Sequence, residues 1–497
     1  MRQILAAAVT AAALTSCAVG PDFRRPVAPA TEAYTAMPLP AETASVPGTG
    51  GSAQRFVTGR EIPAQWWELF HSAPLDTLIR QALADSPPLA VAEARLREAR
   101  ENRRAAFGAL FPSADGNASV ARQKISGATF GQPDSNVSPF TLYNASVNVS
   151  YGLDLFGGTR RELEALQAQV DYQHYQYEGA YLTLTSNIVT TAVQEASLRA
   201  QIRATQEILA AEEKQLALVE QQFHFGGAAL TDVLAQRTQL AQTRATLPPL
   251  EKQLSQTRHL LAVLAGRFPS ESAALPEFDL DGLKLPEDLP VTLPSELVRQ
   301  RPDIRASEEL LHAASAQVGV ATANLYPQIT LTGSYGSQAQ KAENLFTPGS
   351  VVWSLGAGVV QPIFHGGELT AKRRASLAAY DQAGAQYRET VLQAFQNVAD
   401  VLRALEMDAQ TLKAQADAEA DAQTSLDLAQ QQFQLGAVSY LTLLNAERQH
   451  QQARFNLAQA QAARFADTAA LFQALGGGWW KRESEASAIP GPKKQKP

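Results

Sequence analysis

Polar and apolar residues alternate strictly in one stretch of the chain: Tyr143, Ala145, Val147, Val149, Tyr151 and Leu153 interleave with Asn144, Ser146, Asn148, Ser150, Gly152 and Asp154. Ile329, Leu331 and Tyr335 interleave with Thr330, Thr332, Ser334 and Gly336, and Trp353, Leu355, Ala357 and Val359 repeat the pattern. A period of two marks a strand with two unlike faces. With a weaker segment at 114–123, it predicts four strands, each close to the roughly 9–11 residues that cross a bilayer as tilted strands. A soluble sheet with one wet face alternates in the same way, but four strands are too few for a sandwich of this chain length.

Elsewhere the period lengthens. No proline interrupts the chain between Pro139 and Pro248 or between Pro362 and Pro490, and both stretches are rich in Ala, Gln, Leu and Glu, which are good helix formers. They predict helices from Gly158 to Phe225 and from Gly367 to Leu435, each about 100 Å long at 1.5 Å per residue. Such a length spans a compartment. Leu377, Tyr380, Gly384, Tyr387, Val391, Ala394, Val398, Val401 and Leu405 recur at alternating three and four spacing, and Leu198, Ile202, Thr205, Leu209, Leu216, Val219 and Phe223 keep a similar seam. This is coiled-coil packing. Shorter helices are predicted at 87–110, 231–264, 302–325 and 440–475. A pair of them end to end, roughly 87 Å, matches one long helix. The lengths therefore predict a helical wall with strands at one end, glycine turns at the other, and the chain ends and linker midway.

The plan is used twice. Pro87 and Leu110-Phe111-Pro112 match Pro302 and Leu325-Tyr326-Pro327, while Gln221-Gln222-Phe223-His224-Phe225-Gly226 matches Gln431-Gln432-Phe433-Gln434-Leu435-Gly436. Leu264-Ala265-Gly266 matches Ala474-Leu475-Gly476, and a Pro-rich stretch, Leu275 to Pro294, joins the halves. Self-similarity of this kind is internal duplication. Both long helices end at glycine, Gly226-Gly227 or Gly436, where a positive φ carries no steric cost.

Arg2, an apolar run from Ile4 to Leu14 and the small residues Thr15-Ser16 have the zones of a secretory signal. The only cysteine, Cys17, follows directly, as in a bacterial lipobox, where the thiol is acylated and the chain cleaved before it. An aspartate after the cysteine tends to retain such proteins at the inner membrane. Ala18 stands there instead and points to the outer one. The 42 Lys+Arg against 49 Asp+Glu give a net charge of −7, which argues against binding to nucleic acid by bulk charge. No apolar run is long enough for a spanning helix. There is no Gly-rich loop ending in GK, no GxSxG elbow and no HExxH or CxxC, so neither an enzyme nor a cofactor or metal site is expected.

Cys17-Ala18-Val19-Gly20-Pro21-Asp22-Phe23, Trp66-Trp67-Glu68-Leu69-Phe70, Leu293-Pro294-Ser295-Glu296-Leu297, Arg301-Pro302-Asp303-Ile304 and Gly436 with Ser439-Tyr440-Leu441-Thr442-Leu443-Leu444 together resemble the outer-membrane efflux proteins, TolC-like channels of the OprM lipoprotein branch. The resemblance implies an α+β membrane protein: a homotrimer sharing one transmembrane β-barrel, four strands per chain, above a periplasmic α-helical barrel of coiled-coil hairpins with a constricted tip. It implies a passive duct for small toxic molecules, docked to a periplasmic adaptor (membrane fusion) protein and an inner-membrane pump of the resistance-nodulation-division type. A duct for type I polypeptide secretion and a non-conducting trimeric coiled-coil scaffold are the alternatives. Four strands cannot close alone, since single-chain membrane barrels start at eight.

On this reading the chain divides into a signal peptide (1–16), a lipidated arm and midway segment (17–85), a first repeat (86–274), a Pro-rich linker (275–300), a second repeat (301–478) and a trailing tail (479–497). Trp66 and Trp67 anchor the midway belt. Tyr143, Tyr151, Tyr335 and Trp353 are the candidate membrane-interface aromatics. By resemblance the gate is a leucine and an aspartate one helical turn apart. The matching positions are Leu441 and Asn445, so the aspartate is missing. Asp232, the remaining tip carboxylate, either supplies the ring charge or caps its helix. Adaptor contacts are expected at Phe223, Gly226, Gly227, Gly436, Val438, Ser439 and Tyr440.

Overall fold

The computed structural model describes residues 18–31, 33–126 and 138–482. Its helices are α1 (Ala73–Asp85), α2 (Pro87–Phe107), α3 (Gly158–His224), α4 (Leu230–Leu264), α5 (Pro294–Gln300), α6 (Pro302–Ala323), α7 (Glu368–Gln434) and α8 (Tyr440–Ala474). Its strands are β1 (Arg55–Thr58), β2 (Ser113–Gln123), β3 (Phe140–Leu153), β4 (Asp288–Val291), β5 (Gln328–Ala339) and β6 (Val351–Val360). The duplication holds element for element: α3 and α7 have 67 residues each, α4 and α8 have 35 each. The described chain falls into two compact units. Of the described residues, one unit holds those at 18–26, 95–174 and 306–388, the other those at 27–94, 175–305 and 389–482.

The first unit holds an antiparallel sheet in the order β2-β3-β5-β6. Its register sorts the two faces. Val147 lies opposite Tyr335, which lies opposite Trp353, and Tyr151 opposite Leu331, which lies opposite Ala357. Asn144 faces Gln338, and Ser334 faces Ser354. Side chains two apart share a face, so one face is mainly apolar, with Ser337 set in it, and the other is mainly a polar ladder, with Val352 set in it. Across the polar face the hydroxyls of Ser334 and Ser354 are 2.8 Å apart, and Gln338 Nε2 donates to Asn144 Oδ1 at 3.3 Å. Cys17 lies outside the described residues, but the segment after it is held in place. Val19 N donates to the Phe156 carbonyl at 3.0 Å, Arg161 binds Asp22 at 2.6 Å, and the Phe23 ring stacks on His312 at 4.3 Å.

The second unit is built on Trp66, Trp67, Phe70, Phe465 and Phe472, all buried, with Trp66 stacked on Phe472 at 5.3 Å. Asp76 accepts the Trp67 Nε1 hydrogen at 3.0 Å. The Arg301-Pro302-Asp303 element works as a clasp. Its guanidinium grips Asp303 and donates through Nη1 to the Ala474 carbonyl at 2.7 Å, satisfying an acceptor that the end of α8 leaves open. The lipidated arm and midway segment at 17–85 contains a strand that the sequence pattern does not predict, β1, which pairs in parallel with β4 of the linker.

One boundary needs correction. Trp479 to Arg482 were assigned to a trailing tail, yet Trp479 is buried, donates through Nε1 to the Gln300 carbonyl at 2.6 Å and meets Tyr175 edge-on at 5.7 Å. The Arg482 guanidinium lies over the Tyr181 ring at 3.8 Å and pairs with Glu178. Burial of an indole and a cation–π contact hold these residues to the core. The rest of the tail, 483–497, lies outside the described residues.

Candidate functional site

The two hairpin turns of the second unit are built alike. Gly226 N donates to Phe223 O at 3.0 Å and Gly227 N to Gln222 O at 2.7 Å. In the second repeat Gly436 N donates to Phe433 O at 2.9 Å and Ala437 N to Gln432 O at 2.8 Å. These are the paired bonds of a Schellman cap, which needs a left-handed residue, and Gly226 (φ 78°) and Gly436 (φ 73°) supply it. The returning helices start differently. Ser439 Oγ accepts from Thr442 N at 3.3 Å, whereas Asp232 Oδ2 accepts from Ala229 N at 3.0 Å. Of the two roles open to Asp232, the geometry displays the helix cap.

Between the hairpins an apolar cluster gathers Val219, Val233, Leu426, Ala429, Tyr440, Leu443, Leu444 and Ala446. Tyr440 is 6% exposed and packs on Phe433 at 5.5 Å between ring centres. It was expected among the adaptor contacts, and the structure corrects this: its ring faces the hairpin core, where burial of an aromatic stabilises most. Leu441 and Asn445, one turn apart on α8, are both exposed, Leu441 at 64%. Phe223, Gly226, Gly227, Gly436 and Ser439 are exposed and Val438 is half-buried. Sequence reasoning passed over Phe225 and Leu435, which are 77% and 83% exposed. The signal was present, since they occupy matched positions just before the two left-handed glycines, a place where an apolar residue has nothing local to cover it.

Polar groups penetrate this cluster. Glu212 of α3 is buried, and its Oε1 accepts from Gln239 Nε2 at 3.1 Å and Thr243 Oγ1 at 3.0 Å, both on α4. Gln236 Nε2 donates to the Glu212 carbonyl at 3.2 Å. Arg448 of α8 donates to Gln239 Oε1 at 2.6 Å. Burial pushes the Glu212 carboxyl up against the opposing pull of Gln239, Thr243 and Arg448. Glu447 is pushed up to about 7, first by burial and then by the negative charge of Glu212. Burial, followed by Glu447, Glu212 and Asp232, raises the Tyr440 phenol well above its ordinary value. All three shifts follow first from loss of hydration, to which like charge adds for Glu447 and Tyr440.

Of the four sheet aromatics, Tyr335 and Trp353 face each other across β5 and β6, while Tyr143 and Tyr151 occupy two other levels of β3 on the same apolar face. They form no single ring within one chain.

The chain matches the family model described as outer membrane efflux protein over residues 78–267 and 293–477. It is 33% identical over 419 residues, 84% of this chain and 87% of the relative, to the pyoverdine export outer membrane protein OpmQ of Pseudomonas aeruginosa. To the probable efflux pump outer membrane protein TtgC of Pseudomonas putida it is 30% identical over 491 residues, 98% of each chain. The solved outer-membrane channel OprN superposes with a TM-score of 0.82 at 29% identity, covering 93% of this chain and all of that one.

Proposed function

The chain belongs to the outer membrane efflux protein family, and we propose that three copies assemble into one duct gated at the hairpin turns. The protein is an outer-membrane efflux channel. The observation that carries the assembly is the open sheet. Among the described residues β2 and β6 each pair with one neighbour only, and β6 is exposed along its whole length. Unpaired backbone groups in hydrocarbon cost several kcal/mol each, so the edges must meet other chains. Two copies would give eight strands, and a barrel of that size is filled by its own side chains. Three give twelve and leave a lumen. The apolar face then meets lipid, with Tyr143, Tyr151, Tyr335 and Trp353 toward the interfaces, and the polar ladder lines the duct. Detergent-solubilised protein should have the mass of three chains, and a stable monomer with full strand content would refute the assembly.

Small molecules reach the duct from an inner-membrane pump of the resistance-nodulation-division type through a periplasmic adaptor. The adaptor docks on the apolar residues that the turns leave uncovered, Phe223, Phe225 and Leu435, and on the backbone at Gly226, Gly227, Gly436, Val438 and Ser439. Leu441 and Asn445 form the closed constriction.

Cys17 carries the lipid. It follows the signal zone directly and is the only thiol, and acyl chains add about 0.8 kcal/mol per buried CH₂. Cys17→Ser should abolish metabolic labelling with palmitate while leaving the trimer intact, because the barrel itself holds the protein in the membrane. Continued labelling would exclude this site.

A further inference from the structure

We infer that Glu447, set against Glu212 inside the hairpin core, positions the gate-bearing helix α8 and makes closure of the tip depend on pH. This rests on the reading of α8 as the helix that carries the constriction. The geometry is unusual for a coiled-coil interface. Glu212 Oε2, Glu447 Oε2, Gln236 Oε1 and the Tyr440 hydroxyl come from three helices, are all buried, and have no hydrogen-bond partner. Buried polar groups are nearly always partnered, and an unpartnered carboxylate beside another is a strained arrangement. The internal duplication sharpens the point. The position that matches Glu447 in the first hairpin, 210 residues earlier on the Gly226–Gly436 offset, is Arg237, an exposed side chain paired with Glu220 at 2.7 Å. A solvated ion pair in one repeat is replaced in the other by a half-buried acid whose Oε2 is enclosed.

The acids of this region are Glu212 of α3, whose charge acts on Glu447, and Asp232 of α4, whose charge acts on Tyr440. On α8 itself lie Tyr440, Arg448, whose Nε is taken by Gln239, and His450, whose Nε2 is 3.5 Å from Glu419 Oε1 of α7. The charge of Arg448 acts on Glu212, while burial and Glu212 together act on Glu447. In the closed tip Glu447 therefore holds its proton up to about 7. When α8 swings out and water reaches the carboxyl, its affinity for the proton returns toward an ordinary carboxylate value, about 4.3. Between these two values the closed state binds more protons than the open one, so rising pH favours opening. Below the window both states are protonated and closure is at its strongest. Above it the charged Glu447 repels Glu212 and the bias toward opening is complete. For each chain a shift of this size bounds the change in the open-to-closed ratio at roughly a few hundredfold, and partial hydration in the open state brings it to about tenfold.

The test is planar-bilayer recording of the purified channel from pH 5 to 8.5. The wild type should open about tenfold more often at pH 8 than at pH 5. Glu447→Gln, which imitates the protonated acid at nearly the same volume, should stay at the pH 5 level throughout. Glu212→Gln should move the midpoint to lower pH, and His450→Gln should leave the response in place. A wild type whose opening is independent of pH, or a Glu447→Gln channel that keeps the wild-type response, would overturn the inference, as would loss of the response in His450→Gln alone. Leu441→Ala, recorded alongside, separates the two readings: raised conductance that still responds to pH supports both. Unchanged conductance with a normal pH response removes Leu441 from the gate and leaves the Glu447 switch standing.

Discussion

Leu441→Ala should raise single-channel conductance more than either Asn445→Ala or Asp232→Ala. Leu441 projects from the first turn of α8, is 64% exposed, and lies outside the apolar cluster that joins the hairpins. In a trimer three such side chains meet at the axis, and an apolar ring excludes both water and ions because neither is offered a replacement for its hydration. Truncation to alanine widens the ring and removes the dewetted segment, so conductance should increase severalfold with trimers intact. Asn445 can only hydrogen-bond across the axis, an interaction of about 1 kcal/mol that water replaces readily, so its removal should have a smaller effect. Asp232 is engaged with the backbone N–H of Ala229, and its loss should weaken the start of α4 by about 1 kcal/mol and change conductance little. Unchanged conductance in all three variants, with trimers preserved, would place the constriction elsewhere.

Arg464→Ala should produce the largest loss of stability of any single substitution in the second unit. Its side chain is completely buried, and its guanidinium donates to the Leu405 carbonyl at 3.2 Å, the Ser52 carbonyl at 3.0 Å and the Gly50 carbonyl at 3.4 Å. It thus ties the N-terminal arm to α7 and α8. Burial lowers its proton affinity to about 10, against the favourable field of Asp408, so the group stays charged at neutral pH. Alanine leaves the buried Leu405 carbonyl and the part-buried Gly50 and Ser52 carbonyls without a donor, and Asp408 without its cation. Burial, together with the hydrogen bond and charge of Asp408, already holds Asp467 up to about 7. Breaking a buried charged network by removing one member costs about 3–5 kcal/mol. The denaturation midpoint of the purified protein should fall accordingly, and Arg464→Lys should recover only part because an ammonium lacks the planar fork. A midpoint equal to that of the wild type would show that water enters and satisfies the carbonyls.

Element lengths, the duplication and the two-faced strands were legible in the residues alone, and for one reason. Each is set by local backbone geometry: the 2.0 and 3.6 periods, the absence of proline over more than a hundred residues, and a glycine wherever a helix must reverse through a left-handed conformation. Strand and helix ends predicted from the pattern fall within a few residues of those observed. What the periodicity could not reach was rotational phase. Tyr440 and Leu441 are adjacent in the chain, yet one faces the hairpin core and the other the solvent, and only the packing of α8 against α3 and α4 decides which. The same holds for Glu212 and Glu447. A glutamate in an Ala- and Gln-rich helix reads as solvated surface, and its burial follows from which neighbour the helix meets. The pairing of β1 with β4 and the capture of Trp479 by Gln300 join segments well over a hundred residues apart. No local pattern specifies such contacts, because the free energy that selects them arises only when the core around Trp66 and Phe472 has closed.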